Sequence, residues 1–186
     1  MINYRQDEAA ERQAQVQRVN DKMVRVYFDH STKKRTGMDG EKVTVYLSKF
    51  IEVETQETDA LEIAKAAVIE AITAYDASSA VNEFFYQDKP MWLGREMRRT
   101  VNERIELDEK VGLATTKLIN NGIVIELPIA IAKQFMIELS VYARDCYDKT
   151  EEHKAAINAM DSVSDVLNYD FTVGYPEKLH IQEPEQ

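Results

Sequence analysis

Cys146 is the single cysteine of a 186-residue chain, and His30, His153 and His180 are its three histidines. A thiol becomes a nucleophile when an imidazole takes its proton. The nearest histidine in sequence is His153, past a helix break predicted at Thr150. Cys146 itself falls on an apolar helical stripe beside Tyr142, where a thiol reads as a small buried hydrophobe. No histidine stands at i, i+4 from another, and Glu151, Glu152 and His153 are adjacent and point in different directions. Zinc spacing is therefore absent from the sequence. There is no Gly-rich phosphate loop, serine elbow or Walker lysine, and Gly122 and Gly174 are isolated. With 33 acidic residues, paired carboxylates discriminate nothing. No catalytic, cofactor-binding or metal-ligating residue is assigned, no cofactor is expected, and the chain is not read as an enzyme. A hydrolase using Cys146 with His153 is the weakest alternative.

Residues suited to binding are easier to find. Phe84, Phe85, Tyr86 and Trp92 cluster in one short predicted hairpin, and a solvent-facing aromatic pair there would anchor a protein contact. Burial of all four against the two adjacent helices stays open. Arg95, Arg98 and Arg99 crowd the start of a helix, where an anion site is electrostatically awkward and pairing with carboxylates, within or between subunits, is expected. The candidate protein-contact residues are Phe85, Tyr86, Trp92, Arg95, Arg98 and Arg99. Lys33-Lys34-Arg35 would suit phosphate, but in a loop such a triplet is usually solvated.

The elements that must position these groups follow from periodicity. Residues 1–20 are polar, with apolar residues too sparse for a core stripe, and read as an arm that is frayed or orders on a neighbouring subunit. Met23–Phe28 and Lys42–Leu47 are β-prone, and the alternation of Val43, Val45 and Leu47 predicts a half-buried strand. They form a hairpin with a basic, flexible tip containing Lys33, Lys34, Arg35, Gly37, Asp39 and Gly40. An acidic connector over 52–58 leads to a helix capped by Thr58 or Asp59, with Leu61, Ala64, Val68, Ala71, Ile72 and Tyr75 inward. Val81–Tyr86 and Met91–Leu93 form the aromatic hairpin. A helix follows over 95–110, with Met97, Val101, Ile105 and Asp108 on one side and Gly112 closing it. Asn120-Asn121-Gly122 between two β-prone runs predicts a tight hairpin. Pro128 starts a helix whose stripe runs from Ile131 to Cys146. Thr150 caps another, Ser162 starts a short one through Leu167, and an aromatic turn over 169–176 precedes a polar tail.

The length suits one domain or two small ones. The 23 basic against 33 acidic side chains leave a net charge of −10, which argues against wrapping nucleic acid. About half of that charge lies between Glu52 and Glu70, where six acids face one lysine, while Arg95 to Arg104 is a basic counterpart. Such segregation suits complementary faces of neighbouring copies. No apolar run approaches the ~20 residues of a membrane span, and no signal peptide is expected from the polar N-terminus. One cysteine excludes an internal disulfide framework and fits a reducing compartment.

From residue 75 onward an ordered ladder of residues carries a resemblance. It comprises Tyr75-Asp76, Ser79-Ala80-Val81-Asn82-Glu83-Phe84, Met91-Trp92-Leu93, Arg98, Arg104, Gly112 and Thr116-Lys117-Leu118. It continues with Asn121-Gly122, Tyr142-Ala143, Cys146-Tyr147, Thr150, His153, Tyr169-Asp170-Phe171-Thr172 and Gly174-Tyr175-Pro176-Glu177-Lys178-Leu179. In this the chain resembles a family of small proteins of unassigned activity encoded in tailed bacteriophages and prophages, chiefly of gut bacteria. Its C-terminal half is similar to a domain of unknown function found in phage tail-fibre and tail-associated proteins. The chain departs from that pattern at Ile119-Asn120 and Gly94-Arg95.

The resemblance implies a non-enzymatic virion structural protein, made in the host cytoplasm. It would act by protein–protein contacts in the tail, the portal-proximal region or the fibre assembly, as a homo-oligomer among other virion proteins. The alternative is a tail or fibre assembly chaperone absent from the finished particle. Neither membrane nor nucleic acid is an expected partner. The expected fold is α+β: short antiparallel hairpins packed with four or five helices, a helical C-terminal half and an extended N-terminal arm. The expected divisions are the arm (1–20), a β-hairpin region (21–58), an α+β core resembling the phage family (59–180) and a tail (181–186).

Overall fold

The computed structural model describes residues 2–37, 40–120 and 122–182. In chain order the elements are β1 (Arg5–Ala9), β2 (Val16–Arg18), β3 (Met23–Thr36), β4 (Lys42–Glu54), α1 (Ala60–Asp76), β5 (Phe84–Tyr86), β6 (Lys89–Met91), α2 (Arg95–Lys110), β7 (Thr115–Asn120), β8 (Ile123–Pro128), α3 (Ile129–Ala159), α4 (Val163–Asn168) and β9 (His180–Ile181). The fold is α+β. It divides into two compact units, Met1–Ala74 with Glu151–Val173, and Tyr75–Thr150 with Gly174–Gln186. The division expected at residue 58 is thereby corrected: 21–58 shares a unit with most of α1, and the 59–180 core is split.

The first unit holds a four-stranded sheet in the order β1-β4-β3-β2. The expected arm is extended but not free. Arg5–Ala9 pairs with Tyr46–Phe50, and Val16–Arg18 pairs with Val24–Val26. Edge strands are held by main-chain hydrogen bonds, so they need no apolar stripe, and polar side chains suit their open side. Their side chains also bond across the sheet: the Tyr27 hydroxyl is shared between Asp7 Oδ2 (3.2 Å) and Gln17 Oε1 (3.0 Å), and at the surface Arg5 reaches Glu52 at 2.9 Å.

The β3–β4 hairpin is also longer than expected, and Lys33, Lys34 and Arg35 lie in a paired strand rather than a loop. Glu52–Glu54, expected in a connector, are the end of β4. Of the expected flexible tip, Asp39 lies outside the described residues. The core of this unit collects Val24, Val26, Phe28 and Ile51 from the sheet and Ile63, Ala64, Val68 and Ile72 from α1, while Phe50, opposite Tyr27, is buried on the sheet's other face. Ile157, Val166, Leu167 and Phe171 complete it from the C-terminal segment. Asp59 caps α1 as expected, its Oδ1 accepting from the Leu61 and Glu62 amides at 2.9 and 3.0 Å. Ser162 caps α4, accepting from the Asp165 amide.

In the second unit, β5 pairs antiparallel with β6 and parallel with β9. The two-residue turn Gln87-Asp88 takes positive φ at both positions (47° and 60°), the conformation that matches hairpin twist. His180–Ile181, expected in or beside a polar tail, is thus a strand. The β7–β8 hairpin has the expected register, with Asn120 opposite Ile123. Asn121 lies outside the described residues, and Gly122 has φ +80°. Pro128 closes β8, and the helix begins one residue later. The core gathers Phe84, Val101, Ile105, Leu118, Ile125, Phe135, Met136 and Leu139. The break expected at Thr150 does not exist: α3 runs unbroken from Ile129 to Ala159. Thr150 is instead a buried helical residue, donating to Asp76 Oδ1 at 2.7 Å and lying 3.2 Å from the Cys146 carbonyl. A hydroxyl satisfied by such contacts has no need of a cap position.

Candidate functional site

The six candidate contact residues all lie in the second unit, and the structure treats them differently. Tyr86 is 5% exposed and packs edge-to-face on Phe135, so it belongs to the core and is corrected as a surface contact. Its burial reflects β9, which flanks β5 and brings Ile181 opposite it. Phe85, one residue before it, points to the other face and stacks on His180 with ring centroids 4.7 Å apart. Trp92 is half-buried under the Arg98 guanidinium, 5.6 Å from its ring centroid. Arg98 also donates to the Leu93 carbonyl at 2.7 Å. Burial, with Arg95 nearby, lowers its pKa. Arg99 pairs along its own helix with Glu96 (2.6 Å) and Glu103 (3.8 Å), the intramolecular form of the pairing expected. Arg95 is exposed. Phe85, Trp92, Arg95 and Arg99 therefore remain on or near the surface, while Arg98 braces Trp92.

The β7–β8 hairpin carries a second surface feature. Cross-strand partners share a face. Leu118 and Ile125 are partners and are buried at 3% and 6% exposure. The next pair, Ile119 and Val124, lies on the opposite face and is exposed at 49% and 60%. Strands that are apolar on both faces are normally covered on both. Here the described chain covers one.

Cys146 is buried, and burial raises its thiol pKa despite the Tyr142 hydroxyl beside it. Tyr142 is itself raised by burial first and then by Cys146, and its hydroxyl is shared between the Val81 and Glu83 carbonyls. A protonated, enclosed thiol is a poor nucleophile. His153 is 3% exposed; its Nε2–H donates to the Val173 carbonyl (3.0 Å), and Nδ1 lies 2.7 Å from the Tyr169 hydroxyl. Those contacts fix the imidazole as a structural tie of the aromatic turn. The structure gives Cys146 and His153 separate partners.

A dense polar cluster lies where the sequence signalled nothing but a polar Asp-His break in a β-prone run. A bulge shifts the β3–β4 register between Phe28 and Ser31, with Asp29 at φ 49°. Asp and Asn tolerate this conformation better than other side chains. The bulge turns the Asp29 carboxylate toward Lys49 Nζ (2.8 Å), the Ser164 hydroxyl and Asn168 Nδ2 (3.0 Å). Burial alone would raise the pKa of Asp29, but these three donors outweigh it and hold the carboxyl at about 2. His30 is 2.7 Å through Nδ1 from the buried Ser48 hydroxyl, and burial, then Arg12, lowers its pKa. Beside the bulge lies an open cavity of about 720 Å³, walled by Arg12, Tyr27, His30, Asp59 and Asp161 among others. Its lining mixes both charge signs, and Asp29 and Asp59 are engaged in the network and the α1 cap.

Among the described residues no group of three or more His, Cys, Asp or Glu side chains is placed to hold a metal ion. No helix among them is long and apolar enough to cross a membrane. Compared with protein-family models, curated proteins and solved structures, the chain matches none.

Proposed function

We propose that this chain is a structural component of a tailed-bacteriophage particle, made in the host cytoplasm and working without catalysis. It would act through protein–protein contacts with other virion proteins in the tail, the portal-proximal region or the fibre assembly. The sequence ladder from Tyr75 to Leu179 supports the setting. The observation that carries the mode of action is the outward Ile119–Val124 pair, backed by the buried Leu118–Ile125 pair. An apolar cross-strand pair left open on one chain gains most by meeting another protein surface.

Mass spectrometry of purified virions tests the reading. The chain is expected in the mature particle, and Ile119→Ser with Val124→Ser should lower its incorporation while the purified variant keeps its circular dichroism. Absence from the particle overturns the structural role. Presence in assembly intermediates alone assigns it instead to a tail or fibre assembly chaperone.

A further inference from the structure

The outer half of the β3–β4 hairpin has features that the remainder of its unit does not use. β1 pairs with β4 at Tyr46–Phe50, and β2 pairs with β3 at Val24–Val26. Over Ser31–Thr36 and Lys42–Val45 the two strands are paired with each other alone among the described residues. They form a two-stranded ribbon whose Ser31–Thr36 strand is exposed throughout. The register places Val43 opposite Arg35, Val45 opposite Lys33 and Leu47 opposite Ser31, so one face carries an apolar line flanked by Lys33 and Arg35, while Lys34, opposite Thr44, stands on the other face of the same thin ribbon. Val43 is 47% exposed, although its alternation with Val45 and Leu47 is that of a strand with one covered face. Ser31–Thr36 and Lys42–Leu47 hold four cations and no acid. Arg35 reaches Glu8 at 2.8 Å, and Lys33 and Lys34 have no ion pair among the described residues.

The complement lies in the same unit. A groove of about 390 Å³ is floored by Val53, Ile63 and Ala67 and rimmed by the exposed Glu54, Glu57, Glu62 and Glu70. Glu57 accepts from the Thr58 and Asp59 amides, which lower its pKa and keep it charged. Lys22 and Lys65 stand 4.0 Å from Glu54 and Glu62, at the long limit of an ion pair. An apolar line with a basic border thus matches an apolar floor with an acidic rim. Val43 and Val53 sit near opposite ends of β4, about 30 Å apart at the rise of a strand. One copy therefore cannot seat its own ribbon in its own groove.

We propose that the Lys33–Lys34 ribbon of one copy docks in the Glu54–Glu70 groove of a second copy. The two surfaces are different, so the contact is head-to-tail and propagates into a ring or a filament. This deepens the reading above by naming the contact between copies, and it rests on that reading for its biological setting alone.

Sedimentation velocity of the full-length chain tests it. The wild type should self-associate with rising concentration at low salt and dissociate as salt screens the contact. Lys33→Glu with Lys34→Glu, and separately Glu62→Lys with Glu70→Lys, should each weaken association by about tenfold or more, with folded far-UV spectra. Mixing the two variants should restore assembly, because each reversed surface then meets its complement. A wild type that stays monomeric at every salt concentration overturns the proposal, as does assembly indifferent to both reversals or a mixture that remains apart. Binding of duplex DNA by a monomeric wild type, lost in Lys33→Glu with Lys34→Glu, would assign the ribbon to nucleic acid instead. Absence of the chain from virions would strike the particle reading and leave this contact standing.

Discussion

Lys49 Nζ donates a 2.8 Å hydrogen bond to Asp29 Oδ2 across the bulge that shifts the β3–β4 register. The Ser164 hydroxyl and Asn168 amide close on the same carboxylate from α4. A backbone irregularity in the sheet is thereby tied to a helix more than a hundred residues away in sequence.

The Asp29 pKa, at about 2 in the folded chain against an ordinary 3.8, sets a pH window. A depressed carboxyl contributes stability that is fully present above its unfolded pKa and lost as pH falls through the folded one. Asp29→Asn keeps a residue suited to φ 49° and removes the charge. It should cost about 1 to 2 kcal/mol at pH 7, discounted for solvent screening, and the difference from wild type should shrink to a small fraction of that by pH 2. Urea titrations at both pH values measure this. An equal loss at pH 7 and pH 2 would show that the charge is not what stabilises the bulge.

Thr150 presents the reverse case, a cap-type residue inside a long helix. Its hydroxyl donates to Asp76 and lies 3.0 Å from the Tyr175 hydroxyl. Thr150→Val keeps the shape and removes the link, and should destabilise by about 1 to 3 kcal/mol, with Thr150→Ser recovering most of the loss. Calorimetry of the three chains decides, and a silent Val variant would sink the linking role.

Gly122, at φ +80° with nothing within 4 Å of an added Cβ, isolates backbone strain from crowding. Gly122→Val should cost about 1 kcal/mol or more, because a β-branched residue resists positive φ. Gly122→Asn should cost less. Equal melting temperatures for all three chains would contradict the tight-turn assignment.

Removal of residues 1–20 takes away β1 and β2 together with Asp7 and Gln17, the partners of the Tyr27 hydroxyl. The melting temperature of the isolated chain should fall. A truncated chain as stable as the full one would mean that these strands add nothing to the sheet.

Cys146 is buried with a raised pKa. A thiol reagent at pH 8 should label it at the rate of unfolding, so that sub-denaturing urea accelerates the reaction. Immediate labelling in native buffer would place the thiol at the surface.

What the sequence made legible was what local chemistry controls. Asp59 and Ser162 announce α1 and α4 because a short polar side chain before an apolar period satisfies orphan amides. Gly122 lies in a hairpin because two β-prone runs flank a dipeptide that accepts positive φ. The misses have one physical origin, since each depended on a partner distant in the chain. β1 and β2 are held by main-chain pairing that leaves no apolar pattern. Lys33–Thr36 is a strand with polar side chains on both faces. Thr150 looks like a cap until Asp76 and Tyr175 are beside it. Tyr86 was legible as a binding aromatic and is buried instead, because residues near the end of the chain return to lie along β5. The Asp29 cluster needed the register of a bulge, which no local spacing reveals.

The weaving of the chain between the two units has a consequence for its birth. The first unit is open until Glu151–Val173 is made, and the second lacks its Ile181 strand until residues 180–181 are made. A nascent chain can complete neither unit while residues 151–173 and 180–181 are still enclosed in the ribosomal tunnel. The chain's crossings thus set the order of folding during synthesis: the first unit can close only once Val173 has emerged, and the second only once Ile181 has.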